Sequence, residues 1–417
     1  MLLLEGAGFF LFNGVLEIPE NRLYAAKVIF QCMVLSTFFG ILSVPYNAVI
    51  NAHENMFLVA VLGVLEALIK LGIALYVTNT SFDKLISYGS LMAVMAIILL
   101  LIRRVYCHLK YNEVTINVKK YFDRSLFKEM GSFAGWSFLG SSSSMIANYG
   151  QGIVLNMFFG PRVNAAQGIA NQVSGQLSAF STTMLSALNP GIAKSEGAGK
   201  RGSMLKMTAM GSKMSFFLLS FMCIPVLIEM PYILGLWLKD VPAYAVVFCR
   251  LLLIKNLIEQ LSIPVSTSIK AVGNIRDFQI ASSILTFFPL IISFGFFFLG
   301  YPPYFLYVVF IGYAILNSGL IFKYGNKYCG LALWSFIKNV VLRCVFSFLA
   351  VLLLSLIPQL VLDEDGIRLL IVTGSSGLFF IIIVYVIGFN KQEKNWLNML
   401  LKSFAISLKE KLSIVKI

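Results

Sequence analysis

Long apolar runs recur along the chain, at about 1–16, 26–50, 57–78, 85–104, 130–158, 163–188, 214–236, 244–270, 277–300, 304–322, 339–357 and 368–388. Most reach the ~20 residues a helix needs to cross a hydrocarbon core about 30 Å thick. The first is shorter and begins at Met1 with no flank. Their length and weak two-residue alternation predict helices rather than barrel strands. The links are short. The pattern therefore predicts an all-α polytopic membrane protein with about 12 transmembrane helices and no soluble domain.

Composition points the same way, with 58% of residues hydrophobic and 12% charged, about half the charge of a typical soluble chain. A soluble fold of 417 residues could not hide that much apolar surface. The six cysteines are scattered with no CxxC, and there are 2 His, so no disulfide framework, metal site, cofactor or catalytic centre is expected. The N-terminus, MLLLEGAGFF, has neither the basic region nor the cleavage site of a signal peptide.

The net charge of +14 raises the question of a nucleic-acid partner, and its distribution answers it. If the end of run 26–50 is cytoplasmic and sides alternate, the connections at 103–128, 189–213, 270–276 and 323–338 plus the tail 389–417 hold 23 of the 33 Lys and Arg. The opposite connections hold Arg22, Lys27, Lys84, Arg162, Lys239 and Arg368. This asymmetry is the positive-inside rule, and it predicts both termini in the cytoplasm. The partners expected are membrane lipids, not nucleic acid. In the tail, Trp396, Leu400, Phe404, Leu408 and Leu412 follow at four-residue steps, predicting an amphipathic helix on an anionic leaflet.

A repeat underlies the runs. Ser43-Val44-Pro45 through Ala52 and Asn55 recur as Ser262-Ile263-Pro264 through Ala271 and Asn274, 219 positions later. Copies in one orientation predict two pseudo-symmetric helical lobes. The first lobe, 1–104, is followed by a basic linker at 105–129 and a second lobe at 130–322. Two additional spans occupy 323–388, and the basic tail follows at 389–417. The second copy starts near 130, so the arithmetic predicts that roughly ninety residues of the first have no counterpart here.

Polar residues inside the runs are ordered. Ser137, Ser141, Ser144, Asn148 and Gln151 form one helical face, and Asn164, Gln167, Asn171, Ser174, Ser178 and Ser181 another. Such stripes cannot face lipid. They either glue helices together or wall a hydrated cavity. Nine Asn and Gln between 148 and 189 favour the cavity, and amides and hydroxyls are the groups that hydrogen-bond sugars. Asn148, Gln151, Gln167, Asn171 and Gln176 are the candidate glycan contacts. Glu66 with Lys70 and Lys255 with Glu259 stand i,i+4 inside spans, where ionisable groups are costly. Each is either a satisfied ion pair or a functional group. Arg250 and Lys255 are the candidate diphosphate contacts, Glu66 and Glu259 the candidate coupling carboxylates. Arg343 is expected to snorkel. His53 and Glu54 read as turn and capping groups. The segment GIAKSEGAGKRG lacks the spacing of a phosphate loop.

The phrases SVPYNAVINAHENM, LEALIKL, SFAGWSFLGSSSSMIANYGQGIVLNMFFGPRVNAAQGIANQV and LSALNPGIAKS resemble the bacterial polysaccharide-transporter flippases. These belong to the MATE-like multidrug/oligosaccharidyl-lipid/polysaccharide superfamily. The resemblance covers nearly the whole chain. It implies two six-helix lobes plus two extra helices, with 1–16 as the end of a third helix. It also implies transfer of an undecaprenyl-diphosphate-linked oligosaccharide across a bacterial inner membrane for O-antigen, capsule or exopolysaccharide synthesis, with polysaccharide-assembly proteins as further partners. Two departures stand out. Gln167 occupies a position where related sequences often carry Arg, and by the repeat arithmetic the first two helices of the first lobe are expected to have no counterpart here. The alternatives are a MATE-like drug or cation antiporter and a membrane glycan polymerase or ligase. The sugar-type amides argue against the first, and the absence of an extracytoplasmic loop longer than about ten residues argues against the second.

Overall fold

The computed structural model describes residues 5–6, 20–115, 122–391 and 393–395. The amphipathic tail expected at 396–417 and most of the first run lie outside them. Among the described residues the protein is all helical. Contacts divide it into two compact units, Met1–Phe122 and Asp123–Ile417.

The first unit holds α1 (Glu20–Ala52), α2 (Met56–Asn79) and α3 (Lys84–Lys110). Asp83 caps α3, its Oδ1 accepting from the Leu85 and Ile86 amides. α3 runs six residues into the segment expected as a linker. α1 and α3 pack closely at Gly89, where an added Cβ would lie 2.6 Å from Ile29 Cγ1. His53 and Glu54 form the turn between α1 and α2, as expected, while the cap of α2 comes from Asn55. Asn55 Oδ1 accepts from the Leu58 amide, and its Nδ2 donates to the hydroxyls of Tyr106 (2.7 Å) and Tyr111 (3.3 Å). His53 also stacks on Tyr111 and pairs with Glu113. The hydrogen bond from His53 holds the Glu113 carboxyl below its ordinary range.

The second unit begins with α4 (Arg124–Gly197), capped by Asp123. Gly160, at φ +77°, breaks it into two halves, and Pro161 starts the second half. Only glycine adopts that backbone freely, and proline fits a helix's first turn. The break separates the spans expected at 130–158 and 163–188. Next come α5 (Arg201–Ile228), α6 (Met230–Trp237), α7 (Ala245–Gln260), α8 (Ile263–Val272), α9 (Arg276–Phe298) and α10 (Phe305–Cys329). α11 (Leu333–Phe336) passes through a π turn into α12 (Leu342–Ser355), and α13 (Ile357–Val361) precedes α14 (Gly366–Ile383). The core of this unit lies where α4, α5, α7, α8 and α10 meet, around Leu155, Ala166, Leu219, Leu253, Ile269 and Tyr307.

Eight helices among the described residues are long and apolar enough to cross a membrane, against the twelve expected. The two halves of α4 carry the serine and amide stripes that dilute their hydropathy. The run at 244–270 is divided at Leu261–Ser262, just ahead of Pro264, into two short helices.

The repeat recurs in backbone detail. Ser43 Oγ donates to the Gly40 carbonyl, and Ser262 Oγ to the Glu259 carbonyl, at the same 219-residue offset. The Glu54 amide donates to Asn51 and the Gly273 amide to Lys270. Both turn residues are left-handed, with φ of 55° at Glu54 and 92° at Gly273. Each unit therefore builds this turn alike.

Candidate functional site

The two polar faces of α4 meet beside its kink. Gln151 and Gln167 are buried, and Gly152 lets them approach. A Cβ there would lie 3.1 Å from Gln167 Oε1 and 3.3 Å from Asn164 Oδ1. Gln151 Nε2 donates to Asn148 Oδ1 at 3.4 Å. Farther along, Asn256 of α7 donates to Ser174 Oγ (2.6 Å) and Ser178 Oγ (3.1 Å). That end of the second face is helix-to-helix glue. Asn148, Asn171 and Gln176 are exposed, so the five candidate glycan contacts do not converge on one enclosed pocket.

The start of the first face does line a cleft. Ser137, Ser141 and Ser144 meet Ser266 and Lys270 of α8, Gln279 and Ser282 of α9, and Asn317 of α10 around about 420 Å³. Ser282 Oγ donates to Asn317 Oδ1 at 3.4 Å. Gly140 in its wall touches the Gln279 amide so closely that a Cβ would overlap it, 1.3 Å from Nε2. No hydrogen-bond or ion-pair partner is found for Lys270 among the described residues. No carboxylate is among the lining residues. The cleft presents hydroxyls, amides and one cation. It can hydrogen-bond a polyol and attract an anion.

The candidate ions occupy separate places. Lys255 and Glu259 pair at 2.9 Å, both largely shielded. Arg250 donates to the carbonyls of Leu227 (2.9 Å) and Ile228 (3.2 Å), capping the end of α5. Glu66 and Lys70 pair at 2.7 Å within the first unit. Arg343 does not snorkel freely; it donates to the Ile387 and Phe389 carbonyls past α14. Sequence reasoning counted Lys213, Lys270 and Arg368 as topology charges. Lys213, on α5, is 2% exposed and is held at 2.8 Å by both oxygens of Glu393. Arg368, on α14, donates to fully buried Glu229 at 2.8 and 3.2 Å. These two pairs fasten the additional helices to α5. Gln279 and Asn317 were isolated amides on otherwise apolar helices, and no sequence spacing marked them. Among the described residues no cluster of metal-ligating side chains occurs, and the cysteines are free.

No protein-family model matches the chain, and no curated protein matches it. Among solved structures, the protein is similar to the crystal structure of MATE in complex with MaL6. The TM-score is 0.61 with 16% sequence identity, over 81% of this chain and 76% of that one. The protein thus has a MATE-like all-helical fold, with eight helices among the described residues long and apolar enough to cross a membrane.

Proposed function

We propose that the protein is a flippase that moves a polyprenyl-diphosphate-linked oligosaccharide across a bacterial inner membrane, with both termini cytoplasmic, by alternating access. The cleft between α4, α8, α9 and α10 carries this reading. Serines and the amides of Gln279 and Asn317 suit a glycan, Lys270 suits the diphosphate, and no lining carboxylate offers a cationic drug its counter-ion. Gln151, Gln167, Asn148, Asn171 and Gln176 extend the glycan surface along α4. Lys255 is a second anion contact, and Glu66 and Glu259 couple transport to an ion. Arg250 is the weakest of the earlier candidates, because α5 carbonyls already hold it.

The test is export of surface polysaccharide in a bacterial strain lacking its own flippase. The wild-type chain should restore export. Lys270→Gln should lower it by about tenfold, the loss of one charge-assisted phosphate contact. Unchanged export in Lys270→Gln and in Gln279→Ala, with normal protein levels, would remove the cleft from the mechanism.

A further inference from the structure

A second and larger cleft, of about 790 Å³, lies between the first turns of α4 and the α8–α9 turn. Lys128, Ser132 and Trp136 line one side, and Asn274 and Arg276 the other. The Arg276 guanidinium sits over the Trp136 ring, 5.5 Å from its centroid. No carboxylate partner is found for Lys128 or Arg276 among the described residues. Glu129 is also on the rim, which leaves one net positive charge. This end of the helices is the one the positive-inside distribution assigns to the cytoplasm.

The repeat shows that these features are not required by the turn. In the first unit the equivalent Asn55 is consumed, capping α2 and binding Tyr106 and Tyr111. Among the described residues no such bonds are found for its counterpart Asn274, which lines the cleft. Where the first copy has exposed, apolar Phe57, the second has Arg276. The left-handed turn recurs, but α9 begins one residue later than α2 in register, with Ile275 rather than the asparagine at its cap, so in the second copy the polar groups are unspent.

We infer that this cleft binds the phosphate of an anionic lipid headgroup at the membrane surface. Arg276 presents a planar fork to the phosphate, Lys128 adds a point charge from the opposite wall, and the Asn274 amide supplies a neutral donor. Trp136 holds the guanidinium by cation–π contact and suits the boundary between headgroups and acyl chains. The site is separate from the Lys270 cleft and does not depend on which cargo the protein moves.

The experiment places the full chain in phosphatidylcholine nanodiscs doped with phosphatidylglycerol, then measures by mass spectrometry the lipid retained after extraction. Wild-type protein should be enriched in phosphatidylglycerol. Arg276→Gln and Lys128→Gln should each reduce the enrichment about fivefold, the weight of one cation at an anionic surface. Arg276→Lys should retain part of it. Lys200→Gln, a basic position outside the cleft, should leave it unchanged. Enrichment unchanged from wild type in both cleft variants, or a loss in Lys200→Gln as large as theirs, overturns the site. If Arg276→Gln does not fold, Lys128→Gln and Asn274→Ala give the same reading. Inorganic phosphate separates the sources. Binding of phosphate that is lost in Lys128→Gln, without lipid enrichment, would overturn the lipid assignment in favour of a soluble phosphate compound.

Discussion

Replacing Gly140 by alanine tests the wall of the polar cleft at its tightest point. The new methyl would sit 1.3 Å from Gln279 Nε2, 2.4 Å from Cδ and 3.2 Å from Cγ. Separations that short are not tolerated, so the Gln279 side chain must leave its buried position. Forced displacement of a packed side chain costs about 1–3 kcal/mol. Against this, alanine in a helix is favoured over glycine by about 1 kcal/mol. The net effect in the wild-type background is a destabilisation of up to about 2 kcal/mol. For a body this size that lowers Tm by a few degrees, at about 2–4 °C per kcal/mol. In a Gln279→Ala background all three of the nearest obstructing atoms are gone. Only the helix preference then remains, and Gly140→Ala should raise Tm. The assay is thermal unfolding of the four proteins in one detergent, read as a double-mutant cycle with a coupling of about 1–3 kcal/mol. Export should fall in Gly140→Ala by as much as in Gln279→Ala. An equal Tm loss in both backgrounds would refute the contact, and with it the position of Gln279 in the cleft.

Asn256→Leu leaves Ser174 and Ser178 without their shared donor, and should destabilise the second unit by about 1–2 kcal/mol, measured by thermal unfolding. Arg368→Met strands the fully buried Glu229 carboxylate and should cost about 3–5 kcal/mol, whereas Arg368→Met with Glu229→Leu should recover most of it. Recovery would be seen as restored Tm and monodisperse elution. Glu113 has a folded pKa below its unfolded value, so its pairing with His53 stabilises the α1–α2 turn above the unfolded carboxylate range and is lost as pH falls through the folded pKa. The protection factors of the Glu54 and Asn55 amides, exchange rates corrected for the intrinsic pH dependence, should therefore fall as pH drops through and below the ordinary carboxylate range, and should no longer respond to that pH change in Glu113→Gln.

The helices were legible in the sequence because lipid imposes a single long-range rule, about twenty apolar residues per crossing. The repeat was legible because a turn constrains residues locally. Ser43 and Ser262 bond backward three residues, and the left-handed positions at Glu54 and Gly273 recur in register. The cleft was only half legible. Its α4 wall is a face of one helix, and helical spacing announces it. Its other wall comes from Lys270, Gln279 and Asn317 on three helices, and nothing local joins residues that meet only after packing. The ions were misjudged for a related reason. Lys213 and Arg368 look like topology charges in a linear count, and only folding supplies Glu393 and Glu229 to neutralise them.

The same distinction separates glue from site. A polar residue inside a membrane protein must find a partner, so a stripe by itself says only that partners exist. Ser174, Ser178 and Asn256 satisfy one another across two helices, as do the buried pairs Arg368–Glu229 and Lys213–Glu393. These groups are largely spent on one another, Glu229 Oε1 alone among them being left without a partner among the described residues. Lys270, Arg276 and Lys128 are the reverse, being cations beside clefts whose linings offer no sufficient counter-charge. An unspent charge next to open volume is the feature that a moving anionic substrate or a resident anionic lipid would satisfy. The two clefts are predicted to respond separately, with Lys270→Gln changing export and Lys128→Gln changing lipid retention. Loss of both properties in either single variant would mean that the clefts act as one site.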